Sequence, residues 1–253
     1  MALITFMSDF GHRDHYVAAV KAKILAVNHN VKVIDINHEI EPYNIAHAAF
    51  VCNAVFRDFP KGTVHILAVN SLGKRGDKYL AIKLEDHYFV GTDNGLFSLI
   101  SRDKPTAIVE LPGETSSFPE RDVFAKAAVF LANEKSIYDL GIQIPEVKRM
   151  LNRELRLTQN QITGNVLHID YYGNVITNIE KEGFETVSAN RSYNVKFIRE
   201  EIRKIGKGYN SIDEGDCAVF FNSNNLLEIA INKGNASQLL GLVYDDQVII
   251  EFD

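Results

Sequence analysis

The chain has 253 residues, of which 46% are hydrophobic, 24% charged and 10% aromatic, the composition of a folded domain or pair of domains. A formal charge of −6 argues against a protein whose main work is neutralising nucleic-acid phosphates, which calls for a concentrated excess of Lys and Arg. No apolar run approaches the roughly 18 residues that span a bilayer, and the opening Met1 to Ser8 segment is followed at once by Asp9, so a cytoplasmic protein with no nucleic-acid or membrane partner is expected.

The segment Ala2 to Met7 reads as a buried strand ending in the polar turn Ser8-Asp9-Phe10-Gly11. From Asp14 onward Val17, Val20, Ile24 and Val27 recur at helical spacing, and Val31 to Ile36 supplies a second buried strand. A second helix follows over Asn44 to Phe59, with Asn44 as its N-cap, and Thr63 to Val69 is the third strand. This alternation predicts an α/β N-terminal domain with a mainly parallel sheet, whose ligands gather beyond the strand carboxyl ends at Ser8-Asp9, Asn37-His38 and Asn70-Ser71. Strands are expected at Tyr79 to Leu84, Tyr88 to Gly91 and Thr106 to Leu111, and a helix from Asp122. Beyond Gln161 short alternating runs separated by turns predict a smaller β-barrel C-terminal domain, giving domains of 1–158 and 159–253.

Asp9 has two readings: a carboxylate that accepts hydrogen bonds from vicinal hydroxyls such as those of ribose, or a turn residue capping the helix. Asp14 reads as a helix cap. None of the eight His shows metal-ligand spacing, and no metal or further cofactor is expected. Cys52 and Cys217 lie in separate apolar runs and read as reduced core residues. The run from Asp170 to Ile179 places an acid and two amides around a glycine turn, which is either structural or able to hold an ammonium. Asn222 to Asn225 reads as a hairpin turn.

Together these segments resemble the S-adenosylmethionine (SAM) hydroxide adenosyltransferases, adenosine-forming SAM hydrolases related to SAM-dependent fluorinases and chlorinases. The resemblance rests on Ser8-Asp9-Phe10-Gly11 with Asp14 to Val17, Ile34 to Ile40, Phe59 to His65, Val90 to Gly95, Arg121 to Ala125, Asp170 to Ile179 and Asn222 to Ala236, in matching order along nearly the whole chain. It implies a homotrimer with a small-molecule ligand, SAM or adenosine, at the junction of one subunit's first domain and a neighbour's second. By the same resemblance Asp9 grips the ribose hydroxyls and Tyr43 forms an aromatic wall. Asp170 and Asn174 face the methionine ammonium, Ser223 lies near its carboxylate, Tyr209 stacks on adenine and Asn232 reads its edge.

The hydrolase branch is associated with an Asp, Arg and His set that activates water in a displacement at the ribose 5′ carbon. Here Asn70 stands at the acid's position, where it is kept among the ligand-binding residues, Asp77 at the arginine's and Pro119 at the histidine's. No adjacent residue replaces the imidazole. Nor does the loop match the halogenase version, which carries an aromatic at the acid's position. Hydrolysis is therefore expected to be weak or lost, the catalytic residues are unassigned, and two alternatives stay open: a non-catalytic nucleoside or SAM binder, and an enzyme using another nucleophile or substrate through Asp77, Lys74 or Arg75.

Overall fold

A computed structural model of the chain describes residues 3–113, 116–151, 154–189 and 191–253. It divides into two units after Leu151. That point precedes the expected boundary at 158, because Arg156–Leu157 already pairs with a strand of the second unit.

The first unit runs β1 (Leu3–Ser8), α1 (Tyr16–Val27), β2 (Lys32–Asn37), α2 (Ile45–Val55), β3 (Val64–Ala68), β4 (Tyr79–Leu84), β5 (His87–Thr92), α3 (Phe97–Ile100), β6 (Ala107–Glu110), α4 (Ala125–Ala132) and β7 (Ile142–Gln143). Its seven strands lie in the order β2-β1-β3-β5-β4-β6-β7. The pairs β2–β1, β1–β3 and β3–β5 are parallel, whereas β5–β4, β4–β6 and β6–β7 are antiparallel. The expected mainly parallel sheet is thus a mixed one. The cause is local: β4 and β5 are joined only by Glu85 and Asp86, at φ 48° and 63°. Two residues in the left-handed region make a hairpin and cannot make a parallel crossover.

Apolar side chains cover both faces of this sheet. Ile4, Phe6 and Ile66 pack with Val20 and Ile24 of α1 and with α4 on one side. Met7 and Leu67 pack with Ile45, Ala48 and Cys52 of α2 on the other. β1 and β3, buried on both faces, are therefore continuous apolar runs. β2, expected to be buried, is the sheet's edge strand with Ile34 exposed, since it pairs only with β1. Asn44 does cap α2, accepting from the His47 amide at 2.9 Å. Among the described residues no helix is long and apolar enough to cross a membrane.

The second unit contains β8 (Arg156–Leu157), β9 (Gln161–Ile169), β10 (Val175–Glu180), α5 (Lys181–Ser188), β11 (Tyr193–Phe197), β12 (Glu200–Ile202), β13 (Cys217–Phe221), β14 (Leu226–Ile231), α6 (Ala236–Leu240) and β15 (Gln247–Phe252). All its ladders are antiparallel, in the order β12-β11-β15-β9-β10-β14-β13 with β8 beside β9. Alternate residues such as Val195 and Phe197, and Val248, Ile250 and Phe252, point into one core. The Gly206 amide donates to the Val219 carbonyl at 2.7 Å, bridging the segment after β12 to β13 and nearly closing the barrel. Both cysteines are unpaired. Cys52 is fully buried, with its thiol pushed up to about 12 by burial. Cys217 is half-buried, at about 11 for the same reason.

Candidate functional site

The three strand ends singled out in the sequence converge. Ser8 Oγ lies 2.7 Å from Nδ1 of buried His38, whose Nε2 faces Asp35 Oδ1 at 3.1 Å. Burial holds the His38 imidazole below its ordinary value, against the pull of Asp35. Asp9 follows β1, and its amide donates to the Ala68 carbonyl at the end of β3. Its Oδ2 accepts the Tyr43 amide at 2.9 Å and the Asn70 amide at 3.1 Å. Both donors are non-glycine residues in the left-handed region, Tyr43 at φ 64° and Asn70 at φ 49°. Such conformations cost of order 1–3 kcal/mol each and persist where the surroundings enforce them. One carboxylate oxygen therefore holds two strained loops in place, while Oδ1 has no hydrogen bond among the described residues. Tyr43 is 74% exposed, and the hydrogen bond to Asp9 comes from its amide.

Asn94 braces the loop beyond β3, donating through Nδ2 to the carbonyls of Val69 at 2.9 Å and Asn70 at 3.2 Å. Asp77 is a tie within that loop, taking the Lys74 amide at 2.8 Å and Lys148 Nζ at 2.9 Å. Against the push of partial burial, these two donors hold its carboxyl below the usual range. Lys78 pairs with Glu110, and Arg75 is exposed.

A second segment reaches the same place. Phe10, Tyr16 and Phe118 form an aromatic cluster, with ring centroids 5.5–6.0 Å apart, that sets the Phe118-Pro119-Glu120 turn beside the end of β1. Pro119, which lacks an amide proton, opens a turn of π-helix over Glu120–Phe124 that leads into α4. Glu120 is only 5% exposed. Burial pushes its carboxyl above the usual range and the charges of Asp9 and Asp122 add to this, while the Ser71 hydroxyl and its own amide pull the other way. Asp122 goes in the opposite direction, down to about 2, because Arg121 and Ser116 donate to it.

In the second unit Asp170 closes a tight turn. Its Oδ1 accepts the amides of Tyr172 at 2.9 Å and Asn174 at 2.8 Å, and its Oδ2 accepts Asn174 Nδ2 at 2.9 Å. Gly173 sits there at φ 83°, and a Cβ on it would lie 2.2 Å from the Asn235 side chain. The Tyr209 hydroxyl donates a short hydrogen bond to Glu228, and burial followed by that bond raises its phenol well above the usual value. Glu228, 4% exposed, also accepts Asn222 Nδ2 at 3.0 Å. Ser223 is exposed in the adjoining turn, and Asn232 donates through Nδ2 to the Ile212 carbonyl at 3.0 Å. Asp170 contributes to the field at Tyr209, so the turn and the tyrosine share one region of this unit. Among the described residues no group of three His, Cys, Asp or Glu is placed to hold a metal ion.

The family model described as the SAM hydroxide adenosyltransferase N-terminal domain matches residues 4–141, and the one described as its C-terminal domain matches residues 164–249. The chain belongs to the SAM hydroxide adenosyltransferase family. A (R)-S-adenosyl-L-methionine hydrolase of Thermus thermophilus is 32% identical, over 96% of this chain and 96% of its own length. The protein of the same description from Methanocaldococcus jannaschii is 31% identical over 98% of this chain and 95% of its own. A crystal structure of an uncharacterized conserved protein from Thermotoga maritima superposes with a TM-score of 0.90 at 30% identity, covering 98% of this chain and 99% of that one.

For this member of the SAM hydroxide adenosyltransferase family, Asp9, Tyr43 and Asn70 meet in the first unit, and Asp170 and Asn174 meet in the second beside Tyr209. Among the described residues Ser223 and Asn232 make no hydrogen bond to that group, and the link from Ser223 runs through its neighbour Asn222. Sequence reasoning passed over Glu120 and Glu228. Glu228 was detectable as a lone charge in the apolar run Leu226 to Ile231, where a carboxylate needs buried donors. Glu120 carried a weaker signal, an acid directly after Pro119 in a segment compared for its missing histidine.

Proposed function

We propose that the protein binds SAM or adenosine through Asp9 and transfers the adenosyl group of SAM to water, more slowly than relatives that keep the Asp, Arg and His set. The observation that carries this is the Asp9 carboxylate: one oxygen is fixed by two strained amides and the other is left to accept the hydroxyls of a ribose. In such a displacement methionine leaves as a neutral thioether, so the protein's tasks are to align water with the carbon–sulfur bond, exclude bulk solvent and receive a proton. Asn70 can orient water but accepts no proton at neutral pH, Asp77 is held in an ion pair with Lys148, and Pro119 offers neither donor nor base. These replacements support the slower rate, and they also favour a second reading, a nucleoside or SAM binder without turnover.

Calorimetry with SAM, adenosine and methionine, combined with chromatographic detection of adenosine and methionine after incubation with SAM, separates the two. Binding with slow release of both products is expected; binding without products selects the second reading. Hydrolysis as fast as that of relatives with the intact set would sink the claim of a slowed reaction. The family resemblance further supports a homotrimer, for which sedimentation velocity should give three times the chain mass.

A further inference from the structure

Glu120 is a buried carboxyl without an assigned purpose. Acids are almost never this buried unless paired, yet among the described residues no cation pairs with it, since Arg121 is bonded to Asp122. The groups that act on it are Asp9 from the end of β1, Asp122 from its own turn and the Ser71 hydroxyl from the loop after β3. Tyr79 of β4 feels its charge in return. Of the other elements packed on this turn, α4 carries Lys126, whose charge acts on Asp122; α1 sends Lys21 to Asp35 and lays Tyr16 on Phe118, and β5 carries His87 bonded to His65. Ser71 is itself buried, and its Oγ has no aligned hydrogen bond among the described residues. It directly follows Asn70, the residue whose amide Asp9 holds. The under-bonded hydroxyl thus adjoins the loop residue that Asp9 holds, and the unpaired carboxyl lies two residues beyond Phe118, which packs on Phe10 next to Asp9.

We infer that Glu120 is the proton acceptor for the attacking water, with Ser71 as its positioning residue, replacing the base that Pro119 removed. The inference rests on the adenosyl-transfer function proposed above. As the water oxygen bonds to the ribose 5′ carbon, the carbon–sulfur bond breaks with its electron pair going to sulfur. One water proton passes to the Glu120 carboxylate, giving adenosine, neutral methionine and a protonated acid that later releases its proton to solvent. A carboxyl raised by burial is a better base than an ordinary one.

The test is SAM turnover by the full chain, its Glu120→Gln and Glu120→Asp variants, and Ser71→Ala, across pH. Glu120→Gln should lower the rate constant by about 10²–10⁴-fold, the usual worth of a general base, with SAM affinity in calorimetry unchanged. Glu120→Asp should recover part of the rate. The rate of the parent should rise with pH along a single carboxyl titration, and that limb should vanish in Glu120→Gln. In Ser71→Ala it should move to higher pH, because the hydroxyl that favours the ionised form is gone. A Glu120→Gln protein that turns over SAM like the parent overturns the assignment of the base alone, whereas a parent that binds SAM without forming adenosine overturns adenosyl transfer together with its base and leaves only the binding reading. A parent that binds neither SAM nor adenosine overturns the proposed function and takes the base with it. Ser71→Ala leaves the carboxylate in place, so its pH shift tests the idea independently of how well Glu120→Gln folds.

Discussion

Asp9 and Asp170 are the same residue type in the same kind of place, a turn following a strand, and both accept backbone amides. They differ in what is left over. Asp170 uses both oxygens on its own turn, on Tyr172 and Asn174, whereas Asp9 uses one oxygen on two distant loops and leaves the other open. A carboxylate saturated within four residues stabilises a local shape. One that ties together residues 34 and 61 positions away, and keeps an acceptor free, organises a site.

The largest consequence to test is at Asp9. Asp9→Ala should weaken adenosine binding by about 10²-fold, on the order of 3 kcal/mol for a charged acceptor facing hydroxyls, as read by calorimetry. Asp170→Ala should act mainly on stability, lowering the unfolding free energy by roughly 2 kcal/mol in urea titration as the turn loses its acceptors, with adenosine affinity nearly unchanged. Equal losses of affinity from both variants would erase the distinction.

The smallest effect sharpens the contrast inside the first unit, where neighbouring carboxyls shift in opposite directions. The Asp122 carboxyl, held down to about 2, lends stability above its ordinary value of 3.8 that is lost as pH falls toward 2. Glu120 is raised above its ordinary 4.5, so the folded state binds its proton more tightly, and stability is lost as pH rises from 4.5 through the raised value. Urea midpoints of the parent and Glu120→Gln should therefore diverge above pH 4.5 in favour of the variant. A variant less stable than the parent at neutral pH would show that the carboxylate serves the fold.

Much of this was readable in the chain. The apolar periods located the elements, Asn44 announced its cap, and the polar residues closing the first three strand segments marked where side chains would gather, because strand ends and helix starts are specified by neighbours in sequence. The mixed sheet was less readable. Glu85-Asp86 lacks the Asn or Gly that usually signals a two-residue hairpin, so adjacent strand candidates gave no sign of their direction. The exposure of β2 depended on its pairing with β1 alone.

The sequence alone determined the succession of α/β and β segments and the family, both of which are properties of residue type and order. Tertiary structure decided what each carboxylate does. Whether Asp9, Asp170, Glu120 or Glu228 is open, saturated, unpaired or an internal acceptor depends on donors that arrive from elsewhere along the chain. Only packing brings a loop amide, a serine hydroxyl or a tyrosine within hydrogen-bonding or electrostatic reach.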